Sequence, residues 1–192
     1  MRAPASRDRL ERFFETLGRS LRLPLRFYLV GGAAIVDLGL RPATLDIDYV
    51  ARADNPEALR ELERQLPRLK DDLDINVEPA SPSDFMPVPE GAIERSTYVR
   101  SYGPVAVYHY DFPTLVLAKI ARGAERDVAD IELLLRTGAV TWTAVEAAWM
   151  EIRDREDGWL RHTPIQVERR MASMAQRLRA SGLLGSDLGA GQ

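Results

Sequence analysis

The chain of 192 residues is 45% apolar and 29% charged, the balance of an ordinary globular protein long enough to bury a core within one domain. A net charge of −3 argues against a generally basic surface for duplex DNA, and the lack of cysteine removes disulfides, thiolate nucleophiles and thiolate zinc sites together. No apolar run approaches the roughly 20 residues of a membrane span, and the first residues alternate Arg with acids where a signal peptide would be apolar, so a cytoplasmic location is expected.

In chain order, Ser6 is placed to cap a first helix in which Leu10, Phe13, Phe14, Leu17 and Leu21 recur at helical spacing, with Pro24 as its stop. Residues 27–30 read as a central strand buried on both faces. Gly31 and Gly32 follow, then a short helix over 33–38 closed by Gly39, and a second strand over 45–51. Asn55, Pro56 and Glu57 form a helix start, with Ala58, Leu59, Leu62, Leu66 and Leu69 as its buried stripe. A third strand is expected over 73–78, ended by a Pro- and Ser-rich turn, with an ordered loop over 84–94. Two strands, 97–101 and 105–111, flank a hairpin turn at Tyr102-Gly103-Pro104. After Pro113 the period becomes helical over 114–121, 127–136, 143–155 and 164–180, and the tail from Ser181 should fray. The pattern predicts an α+β fold. A small mixed sheet flanked by helices spans 1–112, a helical C-terminal part packed on it spans 113–180, and a flexible tail spans 181–192.

Chemistry concentrates between residues 27 and 50. In Asp46-Ile47-Asp48 the carboxylates are two apart on a strand, so both point to one face and repel each other. A cation between them relieves that repulsion, and oxygen-rich ligation favours Mg²⁺ or Mn²⁺ over zinc. The plainer alternative is a pair of solvated aspartates. Gly31-Gly32 stands after a strand and opens a helix, where free N–H groups suit a phosphate. No Gly-Lys-Ser/Thr follows it and the dinucleotide-fold spacing is missing. A phosphate cradle beside a metal site is what nucleotidyl transfer requires. For a third carboxylate, Asp74, Asn76 and Glu78 fall on one strand face; Glu78 is the first choice and Asp74 the second.

The run GGxA from Gly31, RxxT as Arg41 and Thr44, and DID at Asp46 to Asp48 resembles the core motif of the nucleotidyltransferase superfamily, the polymerase-beta-like fold. More narrowly it is similar to the bacterial group related to abortive-infection type IV toxins. That group carries a lysine on a later helix and then R-x3-[KR]-D-x2-D, matched here by Lys119, Arg122, Arg126, Asp127 and Asp130. The likeness covers about residues 27–135. It implies an NTP held with Mg²⁺ or Mn²⁺ by Gly31, Gly32, Arg41, Thr44, Asp46 and Asp48, with Glu78 as the third ligand where the superfamily pattern would show an aspartate flanked by apolar residues, and a nucleotidyl group passed to an acceptor, either tRNA or a protein side chain. It also implies that Lys119, Arg122 and Arg126 meet the nucleotide phosphates, that Asp127 and Asp130 orient the basic groups or the nucleophile, and that an antitoxin is a partner.

Two rivals stand beside this reading. One is a scaffold of a toxin–antitoxin or defence system that keeps the fold without turnover. The other is a small-molecule transferase of the aminoglycoside-modifying kind, with the loop over 79–89 as an acceptor wall. Elsewhere, His109 is expected to bond a local carboxylate such as Asp111, and His162 to be exposed. Arg169, Arg170, Arg177 and Arg179 read as a solvated helix face.

Overall fold

In the computed structural model residues 2–185 are described, and they fall into two compact units, residues 2–81 with 91–111, and residues 82–90 with 112–185. The first unit contains a five-stranded sheet of β2 (Leu25–Leu29), β4 (Asp46–Arg52), β5 (Asn76–Pro79), β6 (Thr97–Tyr102) and β7 (Val105–His109), and a two-stranded ribbon of β1 (Ala5–Ser6) and β3 (Ala43–Thr44). Its helices are α1 (Arg7–Ser20), α2 (Gly31–Asp37) and α3 (Pro56–Asp72). The sheet order is β5-β4-β2-β7-β6, with β2 at the centre as its apolar sequence predicts. It is a mixed sheet: β2 runs antiparallel to β4 and parallel to β7, β4 is parallel to β5, and β6 is antiparallel to β7.

Aromatic packing fixes α1 on one face of this sheet. Leu10, Phe13, Phe14 and Leu17 are buried along one side of the helix. The rings of Phe13 and Phe14 meet Phe27 of β2 edge-on at 5.9 and 5.2 Å, and Phe27 stacks on Tyr49 of β4 at 4.6 Å. Each such ring contributes about 1.5–3 kcal/mol by leaving water. The helix stops at Ser20, before Pro24, because the Leu21 N–H closes on Leu17 and the chain turns extended.

The connection from β4 to the parallel β5 needs a crossover, and α3 supplies it. Its start is the expected one: Asn55 accepts the Glu57 N–H at 2.9 Å and Pro56 takes the first helical position. Its end corrects the third-strand expectation. The leucine stripe carries the helix through Pro67 to Asp72, and Asp74 then adopts φ 50°. Ile75 N–H returns to Lys70 O and Asp74 N–H to Asp71 O, a left-handed helix cap, so the strand begins only at Asn76.

In the second unit, α4 (Phe112–Arg122) packs against α6 (Trp142–Ile152) and α7 (Pro164–Ala180), while α5 (Val128–Arg136) follows a 3₁₀ turn at Glu125–Asp127. Thr141 caps α6, and Thr163 with Gln166 makes a reciprocal capping box for α7. The segment Pro82–Glu90 is tied to these helices. Phe85 lies beneath the guanidinium groups of Arg122 and Arg161 at 5.7 and 5.5 Å, and Arg155 donates to Val88 O at 3.0 Å. At the C-terminal end Gly182 adopts φ 72°, with Leu183 N–H on Leu178 O and Gly182 N–H on Arg179 O. The expected frayed tail therefore begins with a capping turn, and residues 186–192 lie outside the described residues. Among the described residues no helix is long and apolar enough to cross a membrane.

Candidate active site

Strand pairing decides which carboxylates can act together. In the parallel pair β4–β5, Asp46 stands opposite Asn76 and Asp48 opposite Glu78. Ile47 and Tyr49, with Ile75 and Val77, are buried on the other side, which leaves all four polar side chains on one face. The Asn76 amide nitrogen donates to Asp46 Oδ1 at 2.7 Å and to Glu78 Oε1 at 2.6 Å, so one neutral group holds two acids. Glu78, the first choice for a third carboxylate, thus joins the Asp46/Asp48 face. Asp74 does not. It sits in the left-handed cap of α3, and its carboxylate accepts the Ala3 N–H at 3.3 Å.

The Gly-Gly turn lies against the same strand. Gly31 adopts φ +57°, and a β-carbon there would stand 2.7 Å from Asp48 Oδ2. A β-carbon on Gly32 would stand 2.5 Å from Thr44 Oγ1 and 3.5 Å from Arg41 Nη1. Only glycine lets the carboxylate and the hydroxyl approach the backbone this closely, and the guanidinium lies in ordinary contact beside them. The structure therefore gathers Gly31, Gly32, Arg41, Thr44 and Asp48 at one turn.

Helix α2, which carries that turn, is anchored at its far end. Its last residue, Asp37, is buried, and its Oδ2 accepts from His109 Nε2 at 2.7 Å. Arg100 reaches Asp37 Oδ1 at 3.4 Å. Burial pushes the Asp37 carboxyl up, but the His109 hydrogen bond, with the charges of His109, Arg100 and Arg7, outweighs it and leaves the group below the usual carboxylate range. The expected carboxylate partner of His109 is thus Asp37 rather than Asp111. Asp111 lies beyond the end of β7 and is forked instead by Arg95, at 3.1 Å to each oxygen.

The second motif forms its own network inside the helical unit. Lys119 is buried on α4 and donates to Asp127 Oδ1 at 3.1 Å and Asp130 Oδ2 at 2.8 Å. Arg122 Nε adds a bond to Asp127 Oδ2 at 2.8 Å. Burial raises the Asp127 carboxyl, yet Arg122 and Lys119 more than offset this and hold it below the usual range. Arg126 is exposed. Asp127 and Asp130 thus hold Lys119, and Asp127 also holds Arg122. Arg170, expected to be solvated, is half-buried and donates to Ala121 O, and Arg177 pairs with Glu125 and Glu132 at 3.0 and 3.2 Å. His162 is half-buried beside Arg170, at 3.3 Å, rather than exposed.

Both motif sets fall inside one further match. A family model described as a nucleotidyltransferase of unknown function (DUF6036) covers residues 8–160. The chain belongs to that family. The α+β fold with its mixed sheet agrees with a nucleotidyltransferase, and the DUF6036 description places the chain among transferases at the level of class. The match does not extend to the narrower abortive-infection group. No curated protein and no solved structure matches the chain.

The donor set of this DUF6036 chain suits a hard divalent cation: carboxylates at 46, 48 and 78, a hydroxyl at Thr44, and no sulfur. The side chains as placed do not converge, since among the described residues no three His, Cys, Asp or Glu groups gather to hold an ion. The Asn76 amide between Asp46 and Glu78 is the physical reason for that pair. Asn76 and Asp37 carry no sequence signal as site residues. The alternation of 74, 76 and 78 placed Asn76 on the right face but gave it no role, and Asp37 becomes visible only through a partner 72 residues away.

Proposed function

We propose that this protein is a divalent-cation-dependent nucleotidyltransferase that moves a nucleotidyl group from an NTP to an acceptor hydroxyl. The observation that carries the reading is the β4–β5 register, which aligns Asp46 and Asp48 with Asn76 and Glu78 on one face beside the Gly31–Gly32 turn. In this reading Asp46, Asp48 and Glu78 hold Mg²⁺ or Mn²⁺, and Gly31, Gly32, Arg41 and Thr44 receive the phosphates. The cation, when bound, neutralises polyphosphate charge and lowers the pKa of the attacking hydroxyl. The chain's own part is to fix the strand carboxylates through Asn76, to keep the turn free of side chains, and to hold α2 through Asp37 and His109. Asp127 and Asp130 take two of the three N–H donors of Lys119 and set its orientation, and Asp127 that of Arg122, and in this reading Lys119, Arg122 and Arg126 offer their positive charge to phosphate. The acceptor is tRNA or a protein side chain, and a toxin-like role with an antitoxin partner in the cytoplasm follows from the abortive-infection likeness.

The test is transfer of label from α-phosphate-labelled NTPs, with Mg²⁺ or Mn²⁺, to total tRNA, to total protein and to aminoglycosides. Label should move to one acceptor class and should do so only with the cation. It should be lost with the double substitution Asp46→Asn and Asp48→Asn. Unchanged Mn²⁺-dependent NTP binding by that double variant in calorimetry would sink the site assignment.

A second reading is a nucleotide-binding scaffold without turnover, and the Asn76 amide standing between Asp46 and Glu78 favours it. Persistent Mn²⁺–NTP binding with no labelled acceptor would select that reading.

A further inference from the structure

Of the four polar side chains that β4 and β5 set on one face, Asn76 alone carries no charge. The register places it opposite Asp46, with Glu78 on its own strand one same-face step further on. Its Nδ2 lies 2.7 Å from Asp46 Oδ1 and 2.6 Å from Glu78 Oε1, so one hydrogen goes to each acid. Ionised carboxylates only accept, and that fixes which end of the amide faces them. The amide oxygen accepts no hydrogen bond among the described residues and is open to solvent.

Counting acids alone, no three groups gather among the described residues, and the group that stands between two of the acids is this amide. A divalent cation shared by Asp46 and Glu78 takes the place toward which those hydrogens point. N–H groups aimed at a cation repel it, whereas an amide oxygen is a hard ligand of the kind such ions accept. The two ends of an amide are alike in size, and the torsion that exchanges them is broad and roughly two-fold. A half-turn of the Asn76 side chain therefore brings Oδ1 to the acids with no movement of β5. The turn gives up two hydrogen bonds to carboxylates that the cation then satisfies, and it costs the oxygen no protein partner.

We propose that Asn76 is a ligand of the divalent cation: on binding, its amide turns and presents Oδ1 beside the carboxylates of Asp46, Asp48 and Glu78. Asn76 takes this role only where Asp46 and Asp48 hold the cation, as the transfer reading has it. Its neutral oxygen completes the donor set without adding a fourth negative charge to the face.

The chain has two asparagines, Asn55 and Asn76, so isotope labelling of asparagine nitrogen leaves two side-chain NH₂ pairs in a nitrogen–proton NMR spectrum. Asn55 is exposed and caps α3 through its oxygen, which makes it the internal reference. The experiment is a Mg²⁺ titration of the full chain followed in that spectrum, beside Mn²⁺ calorimetry of the parent, Asn76→Ala and Asn76→Asp. The Asn76 pair should move upfield as its hydrogen bonds to the acids are lost, while the Asn55 pair stays in place. This readout uses the parent chain, so it holds whatever the substitutions do to folding. Asn76→Ala should bind Mn²⁺ about tenfold more weakly, the scale on which a metal site suffers when a supporting group is removed. Asn76→Asp cannot donate to the acids but keeps an oxygen, and should bind at least as tightly as the parent. An Asn76 pair unmoved at saturating Mg²⁺, an unchanged Asn76→Ala variant, or equal weakening in both variants overturns the proposal, because the amide then serves only as a hydrogen-bond donor. Those results leave Asp46 and Asp48 as cation ligands. A parent chain that binds neither Mg²⁺ nor Mn²⁺ removes the cation site and the role of Asn76 together.

Discussion

The two charged clusters of this protein are opposites in their electrostatics. In the helical unit Lys119 and Arg122 face Asp127 and Asp130, two cations against two anions, with Lys119 and both acids buried. In the sheet unit Asp46 and Glu78 share a neutral amide as their hydrogen-bond donor, and both are at least partly open to solvent. A balanced, buried cluster is complete in itself, and breaking it leaves charges stranded in low dielectric. An acid-rich, accessible face keeps a demand for positive charge that a ligand can meet. The lysine motif is therefore balanced within its own helices, whereas the Asp46/Asp48 strand is the one that, on the transfer reading, takes a cation.

The largest expected effect tests that contrast directly. Asp127→Asn removes the acid shared by Lys119 and Arg122, and should cost about 3–5 kcal/mol. All three tryptophans, at 142, 149 and 159, lie in the helical unit, so their fluorescence in a urea titration reads this loss selectively. Asp46→Asn, by contrast, relieves repulsion on a half-exposed face and should change stability, followed by circular dichroism, by no more than about 0.5 kcal/mol. Equal losses at the two sites would erase the distinction.

Acid should sharpen the same comparison. The Asp127 carboxyl lies below its usual range in the folded chain, so the stability it contributes is present above its unfolded value of about 4 and is lost as pH falls through the lower, folded value. Asp37 follows the same sign in the sheet unit, where His109, Arg100, Arg7 and, through Arg100, Glu11 face it. Between pH 7 and about 5 neither group should alter stability, and below about 4 both units should weaken. In Asp127→Asn the tryptophan-detected midpoint should lose its acid dependence below pH 4 while the sheet unit keeps its own. A midpoint that still falls as in the parent chain would mean that other carboxylates set the acid limit.

How far the sequence reveals this arrangement depends on the range of each interaction. Period is local, so α7 is legible over 164–180 though the Gly182 turn that caps it is not, and the β6–β7 hairpin is legible from Gly103-Pro104. Period also places Asp46, Asp48 and Glu78 on common strand faces, because alternation needs no knowledge of neighbours. Register is not local. That Asp48 faces Glu78 and Asp46 faces Asn76 follows from the length of α3 and its left-handed cap at Asp74, a position that a sequence reader fills with Gly or Asn. The partner of His109 was misread for a related reason: the nearest carboxylate in the chain, Asp111, is claimed by Arg95, and the true partner closes a 72-residue loop. Lys119 in an apolar helix implies a charge in need of a partner, but not that two acids on the next elements supply it.

The smallest effect concerns the turn on which the sheet site depends. Gly31→Ala forces a side chain into φ +57°, which costs about 1–2 kcal/mol, and sets its β-carbon 2.7 Å from Asp48 Oδ2. The obstructing atom is the far end of a side chain, so the fold survives by moving the Asp48 carboxylate away. Stability should therefore fall by that backbone cost alone, while Mn²⁺-dependent NTP binding, measured by calorimetry, falls much further. Gly138→Ala supplies the control: it imposes a similar backbone strain at φ 72°, but its β-carbon meets nothing within 4 Å and it belongs to the helical unit. If the two variants lose stability alike and both keep nucleotide binding, the close approach of Asp48 to the Gly-Gly turn has no part in the site. If only Gly31→Ala loses binding, the glycine is there for the carboxylate rather than for the turn.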